Sequence, residues 1–162
     1  MPRVRWCCTP SSGCWRESPS ASCGSAGSGR PISSAVTVFV CTSCGEADIP
    51  GPSAQTGGQR LWIELAARTT NNPDIEVQAV DCLAVCENAV VVAFATPEKW
   101  TYVVGGASAA GAAGNGDADD VIAVAAAIGA SVHGIPAMKD RPPFFRAGVI
   151  ARVPPLPQTA DT

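Results

Sequence analysis

The chain has 162 residues, 46% of them hydrophobic, which is enough for one globular domain with a buried core and tails. Residues 1–35 carry four arginines against one glutamate, a net charge of +3, whereas residues 36–162 carry seven basic and thirteen acidic residues, a net charge of −6. This acidic body argues against a nucleic-acid partner, and no apolar run approaches the roughly 18 residues of a membrane helix, so we expect a soluble protein without membrane contact.

The eight cysteines bear on where the protein works. A secreted chain would use them in disulfides, but no basic head followed by an apolar core and a cleavage site opens this sequence. In a reducing cytoplasm, cysteine clusters more often bind metal or carry out redox chemistry. We therefore predict a cytoplasmic location.

Residues 1–34 are rich in serine, glycine and proline and show neither helical nor strand periodicity, which predicts a disordered extension. Their composition superficially matches an organelle transit peptide, yet an amphipathic apolar face is missing. For residues 1–34 we prefer the explanation that the start codon was assigned too far upstream. The four cysteines of this segment are then incidental to any site: Cys7, Cys8, Cys14 and Cys23.

A strand, a helix and a second strand are predicted in that order from residue 36. Residues 36–40 form a β-branched run that ends at Cys41. Apolar residues at helical spacing predict a helix over 57–69. Alternating polarity predicts a strand over 75–80, which ends just before Cys82. Because a βαβ unit holds its two strands parallel, the ends of both strands lie at the same edge of the sheet.

Two cysteine pairs follow these strand ends, at the edge where open α/β sheets place ligands. The first pair is Cys41 and Cys44, and the second is Cys82 and Cys86. Four thiolates are ligands that Zn²⁺ and iron–sulfur clusters select. A [2Fe-2S] cluster takes two cysteines on each iron, which suits two pairs. Zinc sites of four cysteines more often use two C-x2-C pairs, and the spacing leaves both metals open.

Disulfide exchange is a third chemistry that the C-x2-C spacing permits. Its attacking thiol lies at a helix N-terminus, which lowers the pKa of that thiol. Here a loop with two prolines separates Cys44 from the predicted helix, which disfavours this activation. His133, the only histidine, is expected to be a surface or helix-capping residue and not a metal ligand.

A hairpin over residues 90–105 and a helix from Asp117 toward Gly129 complete the predicted domain. The order is βαβ followed by ββα. This is an α/β, thioredoxin-like fold in which helices flank a four-stranded mixed sheet, and it covers residues 35–135. Residues 136–162 contain too much proline for a helix and are predicted to form a C-terminal arm.

Three segments resemble a bacterial family of uncharacterised, predicted metal-binding proteins, the domain of unknown function 1636: VTVFVCTSCG, VQAVDCLAVCENAVVVAFATPEKWTYVVGG and RPPFFRAGVIARVPP. The central segment is similar in turn to thioredoxin-like [2Fe-2S] ferredoxins, which carry a Cys-Leu-x-x-Cys turn after the second strand. The resemblance implies that Cys41, Cys44, Cys82 and Cys86 are the cluster ligands. The first pair is closer in sequence here than in those ferredoxins, which bears on the type of centre and not on its place.

The sequence therefore predicts a cysteine-ligated, metal-binding protein, with a [2Fe-2S] cluster that serves electron transfer or a redox accessory role. A zinc or cobalt-group carrier without a redox role is the alternative, and a thiol–disulfide oxidoreductase is the second alternative. We predict no catalytic residues. A redox or metal-handling protein and a second copy of the chain are the expected partners.

Overall fold

A computed structural model describes residues 35–45, 54–108 and 116–156. In this part of the chain, no helix is long and apolar enough to cross a membrane. The elements follow in chain order: β1 (Val36–Cys41), α1 (Gly57–Thr69), β2 (Ile75–Val80), a 3-10 turn (Cys86–Asn88), β3 (Val92–Ala95), β4 (Thr101–Val104), α2 (Ala118–Ala130), a second 3-10 turn (Met138–Asp140), α3 (Pro143–Gly148) and β5 (Val149–Val153).

The strands form one open mixed sheet in the order β2-β1-β3-β4-β5. β1 and β2 are parallel, as the predicted βαβ unit requires, and the other neighbours are antiparallel. In the centre of the sheet, Val38 lies opposite Val77 of β2 and Phe94 of β3. The prediction of a mixed α/β fold is therefore confirmed.

Helix α1 has the bounds that its sequence predicted, because local chemistry defines its start. Thr56 and Gln59 form a capping box: the Thr56 hydroxyl accepts from the Gln59 N–H at 3.1 Å, and the Gln59 side chain accepts from the Thr56 N–H at 3.0 Å. Leu61 and Leu65, one turn apart, are fully buried. The capped helix thus presents one apolar face to the sheet.

Helix α2 starts in a similar way. The carboxylate of Asp117 accepts from the Asp120 N–H at 3.0 Å and caps the first turn. Two acidic residues in that turn are favourable beside the positive end of the helix. Its buried side chains recur at helical spacing: Val121, Val124, Ala125 and Ile128. The predicted start at Asp117 is confirmed.

The hydrophobic core joins the three helices to alternate residues of the sheet. Val36, Val38 and Val40 of β1 are 0–1% exposed and lie in one cluster with the buried residues of α1 and α2. Helix α3 closes the other end of this cluster through Phe145, whose ring lies 6.2 Å from that of Phe94 and 5.2 Å from that of Tyr102. Aromatic contacts of this kind add to the stabilisation from area burial.

The C-terminal segment corrects two predictions, because it contains a helix and adds a fifth strand to the expected four. Proline is tolerated in α3 since Pro143 occupies the first helical position, where the missing N–H has no partner to lose. β5 pairs with β4 across a bulge between Val103 and Val104. All five residues of β5 are exposed, so it lacks the alternating burial that marks a strand in sequence.

Candidate metal centre

The first cysteine pair lies at the carboxyl end of β1 and is buried. Cys41 is the last residue of the strand and is 0% exposed, and Cys44 is 2% exposed. The Cys41 N–H donates to the Val91 carbonyl at 3.0 Å, and the Cys44 carbonyl accepts from the Gly58 N–H at 2.9 Å. Both thiols are therefore held on a rigid part of the fold and shielded from solvent.

The first turn of α1 packs directly against this loop. A Cβ on Gly58 would lie 1.9 Å from the Cys41 carbonyl oxygen, so only glycine fits there. The Thr56 hydroxyl, at the helix cap, donates to the Thr42 carbonyl. The length of the connection between Cys44 and α1 disfavoured any effect of the helix on the cysteine loop. The fold nevertheless brings the N-terminus of α1, the positive end of its dipole, next to this loop.

The second cysteine pair lies in the turn after β2 and is exposed. Ala84, between Cys82 and Cys86, has a φ of 61°, in the left-handed region. In this conformation the Ala84 N–H donates to the Cys82 sulfur at 3.2 Å. Successive N–H groups that converge in such a turn form a concave site for negative charge, and here the Ala84 N–H faces the sulfur of a proposed ligand.

The two loops are hydrogen-bonded to each other beyond the ends of their strands. The Thr42 N–H donates to the Val80 carbonyl at 2.8 Å, and the Ser43 N–H donates to the Asp81 carbonyl at 3.2 Å. The same Asp81 carbonyl accepts from the Ser43 hydroxyl at 2.5 Å and from the Cys41 thiol at 3.6 Å. Parallel pairing thus places both cysteine loops side by side, as the strand order predicted.

Hydrogen bonds make Cys41 the more acidic thiol of its pair. Burial by itself would raise the pKa of Cys41. The Cys44 thiol, the Leu83 N–H, and the hydroxyl and N–H of Ser43 all stabilise the thiolate, and together they outweigh burial. The pKa of Cys41 is therefore lowered. Leu83 belongs to the exposed turn, so the second loop contributes to the charge of the first.

Cys44 and Cys86 hold their protons more tightly than an ordinary thiol does. Burial, followed by the hydrogen bond to Cys41 and the charges of Cys41 and Cys86, raises the pKa of Cys44 to about 11. The charge of Cys82, with a hydrogen bond to it, raises the pKa of Cys86, and Cys41 and Cys44 also act on this thiol. Cys86 therefore lies close enough to the buried pair to interact with it across the two loops, and Cys82 interacts with Cys86.

As they stand, no three His, Cys, Asp or Glu side chains among the described residues are arranged to hold a metal ion. The donor chemistry nevertheless fits a thiolate-ligated centre. The turn offers N–H groups from Leu83 and Ala84 to sulfur, the first loop offers that of Ser43, and Val91, just before β3, offers its own to Cys44. N–H donors to sulfur stabilise the thiolate charge that metal ligation requires.

The other polar residues considered from the sequence lie beside the exposed cysteine turn or far from it. Asp81 and Glu87 flank the exposed turn and are solvent-exposed. His133 is exposed, and its carbonyl accepts from the Trp100 N–H next to the start of β4, at the opposite edge of the sheet. His133 is therefore not near the cysteines. The sequence did not predict the main-chain N–H donors to sulfur or the contact between Gly58 and Cys41. The Gly57-Gly58 pair at the start of the helix is the one signal in the sequence that indicates a close backbone contact.

A model of the family described as Protein of unknown function (DUF1636) matches residues 38–155. The chain belongs to this family. The match contains both cysteine pairs and extends past β5. No curated protein and no solved structure matches the chain significantly. Membership confirms the family inferred from the sequence but assigns no activity, so the likeness to ferredoxins stays a prediction.

Proposed function

We propose that this protein binds a metal centre through Cys41, Cys44, Cys82 and Cys86. The observation that supports it is the position of both cysteine pairs on two hydrogen-bonded loops at one edge of the sheet, where Cys86 interacts with the buried pair. In the described conformation the exposed turn does not yet complete a ligand set. Binding therefore requires the Cys82–Cys86 turn to close on the buried pair.

A [2Fe-2S] cluster with a role in one-electron transfer is the proposed occupant. Two thiols per iron correspond to two pairs on separate loops. Bound there, a cluster would supply a one-electron redox centre. The chain would hold it by thiolate charge, shield one side of it through the burial of Cys41 and Cys44, and tune its potential through N–H donors to sulfur. A redox or metal-handling protein is the proposed partner.

The thioredoxin-like arrangement is part of the same proposal. It is supported by the chain order of a βαβ unit, a hairpin and α2, and by the strand order β2-β1-β3-β4 within the sheet. β5 extends this sheet at its edge. In this arrangement the cysteine loops occupy the carboxyl edge of the parallel pair, where a ligand is expected.

Analysis of the full-length protein purified without oxygen tests the proposal. We expect near-stoichiometric iron and acid-labile sulfide with visible charge-transfer bands. The serine variants of Cys41, Cys44, Cys82 and Cys86 should lose metal. Serine at the four N-terminal cysteines is the matched control and should leave metal content unchanged. Colourless protein with one zinc and no sulfide would support the zinc alternative, for which four thiolates are also suitable ligands. Protein without either metal would contradict the proposal.

Disulfide exchange at Cys41 is the second candidate, favoured by its lowered pKa next to the raised pKa of Cys44. The nucleophile of such an enzyme must reach its substrate, and Cys41 is 0% exposed. Reduction of a test disulfide by metal-free protein that is abolished by Cys41→Ser, but retained in Cys82→Ser, would establish this activity.

A further inference from the structure

The two cysteine pairs differ most in their access to solvent. Cys41 and Cys44 are 0% and 2% exposed and belong to the hydrophobic core. Cys82 and Cys86 are exposed, on a turn whose neighbours Asp81, Ala84 and Glu87 are exposed as well. Thiol–disulfide exchange requires the attacking sulfur to approach a disulfide in line, so access decides which pair reacts. Only the second pair meets that requirement.

The turn also gives its two thiols different roles. The Ala84 N–H donates to the Cys82 sulfur at 3.2 Å, so the turn itself holds this sulfur at the surface. Cys86 belongs to the same exposed turn and is a hydrogen-bonding neighbour of Cys82, so the two sulfurs lie close together. Two accessible thiols in one turn, of which Cys82 alone accepts the Ala84 N–H, match the arrangement of an attacking and a resolving cysteine.

We propose that Cys82 and Cys86 form a reversible thiol–disulfide switch that removes half of the thiolate set, while Cys41 and Cys44 stay reduced in the core. The oxidant is a low-molecular-weight disulfide of the glutathione class. The consequence for metal binding rests on the proposed function, whereas the reactivity of the exposed pair does not. This is the reverse of the sequence-based alternative, which placed exchange at the C-x2-C pair.

The chemistry proceeds in two exchanges. The Cys82 thiolate attacks one sulfur of the small disulfide, an S–S bond forms between them, and the other half leaves as a thiolate that takes up a proton. The Cys86 thiolate then attacks the Cys82 sulfur of this mixed disulfide and expels the second half. In sum, two protein thiols are oxidised to one disulfide and one small disulfide is reduced to two small thiols. A reducing thiol pool reverses both steps.

Mass mapping of the full-length, metal-free protein tests the switch. The protein is exposed to oxidised glutathione, free thiols are alkylated, and trypsin is added. Cleavage after Arg60 and Arg68 places the two pairs on separate peptides, 17–60 and 69–99. The first peptide stays intact because trypsin does not cleave the Arg30-Pro31 bond. We expect the Cys82–Cys86 disulfide to form at least about tenfold faster than any disulfide of Cys41 or Cys44, and this difference to vanish in denaturant. Equal rates, or earlier oxidation of the first pair, would overturn the proposal.

Matched serine variants test the roles of the two thiols. Cys86→Ser removes the resolving thiol, so a stable glutathione adduct should accumulate on Cys82. Cys82→Ser removes the attacking thiol, so adduct formation on Cys86 should be several-fold slower. Both positions are exposed, so both variants should fold. Faster adduct formation on Cys86 than on Cys82 would overturn the assigned order of attack.

The switch and the metal site can fail independently. If both are correct, protein loaded with iron and sulfide, or with Zn²⁺ alone, should resist formation of the Cys82–Cys86 disulfide, and the oxidised protein should take up no metal until it is reduced. Rapid oxidation with no protection by either loading would support the switch and contradict the metal site. If Cys82 and Cys86 resist oxidation by glutathione disulfide even in the metal-free protein, while the protein does bind metal, the result would support the metal site and contradict the switch.

Discussion

Gly58 and Cys41 lie so close together that a Cβ on the glycine would be 1.9 Å from the cysteine carbonyl oxygen. The contact joins the first turn of α1 to the end of β1. It holds the loop of the buried thiols against the helix, with the Gly58 N–H bonded to the Cys44 carbonyl at 2.9 Å. The position of the cysteine loop thus depends on a residue with no side chain.

Gly58→Ala should disrupt this contact. The added methyl group meets backbone and not the end of a flexible side chain, so the loop or the helix must shift at a cost of about 1–3 kcal/mol or more. Chemical denaturation measures the stability, and metal content per chain measures the site. Gly57→Ala is the matched control, since its Cβ comes closest to the Val90 side chain at 3.3 Å and otherwise makes ordinary contacts with Gly45 and Arg60 at 3.6 and 3.8 Å. Equal stability of the two variants would contradict the explanation.

Ala84→Gly should stabilise the protein. Alanine at a φ of 61° carries a left-handed penalty of roughly 1–2 kcal/mol that glycine avoids, offset in part by the larger entropy of glycine in the unfolded chain. We expect a net gain of about 0.5–1 kcal/mol in the free energy of unfolding, and a loss for Ala84→Val. Ala123→Gly, on the exposed face of α2, should instead cost about 1 kcal/mol. A loss of stability in Ala84→Gly would refute the strain at this turn.

The stability of the reduced, metal-free protein should fall between pH 9 and about 11. The Cys44 thiol has a pKa of about 11 in the fold against 9.0 for an ordinary thiol, so its stabilising contribution is complete below pH 9 and is lost as the pH rises to about 11. The raised pKa of Cys86 acts in the same direction. The lowered pKa of Cys41 acts oppositely: its contribution is present above pH 9 and is lost as the pH falls through the folded pKa.

Denaturation at a series of pH values checks this prediction. Cys44→Ala should show a shallower alkaline fall than the unmodified protein, because the group that keeps its proton in the fold is gone. Comparison of the two proteins cancels the titration of lysines and of the tyrosine. Parallel stability curves above pH 9 would show that Cys44 titrates as an ordinary thiol in the folded protein.

Serine substitutions should separate ligation from folding. Cys82→Ser, at an exposed position, should leave the stability of the metal-free protein unchanged within about 0.5 kcal/mol while metal content falls. Cys41→Ser places a hydroxyl in the core and should cost about 1–3 kcal/mol in addition to the loss of metal. Unfolding of metal-free protein and metal analysis of the loaded protein give the two readouts. Full metal content in Cys82→Ser would remove this residue from the ligand set.

Arg152→Ala should weaken the attachment of β5 to the sheet. The guanidinium lies 4.0 Å from the centre of the Trp100 ring, and a cation–π contact at an exposed site contributes about 0.5–1 kcal/mol. Arg146→Ala, at an exposed position on α3, is the control and should change the stability by less than about 0.5 kcal/mol. Thermal unfolding compares them. Identical midpoints for the two variants would show that the stacked arginine does not hold the strand.

Local signals in the sequence were sufficient to predict most of the helices and strands. The spacing of apolar residues predicted the first long helix, and Asp117 with the apolar residues after it predicted the second, because these interactions lie within a few positions of one another. The β-branched run of β1 and the alternation of β2 predicted the parallel pair. β5 was missed because its residues are exposed throughout and its strand conformation comes from pairing with β4.

The sequence by itself determined that two cysteine pairs follow two parallel strands, since strand ends and cysteine positions are both local features. Tertiary structure alone decided that one pair is sealed in the core and the other is open to solvent, because burial depends on what packs from distant parts of the chain. It also placed the N-terminus of α1 against the first loop, across a long connection in sequence. The difference in access between otherwise similar thiols is the observation on which the proposed switch at Cys82 and Cys86 rests.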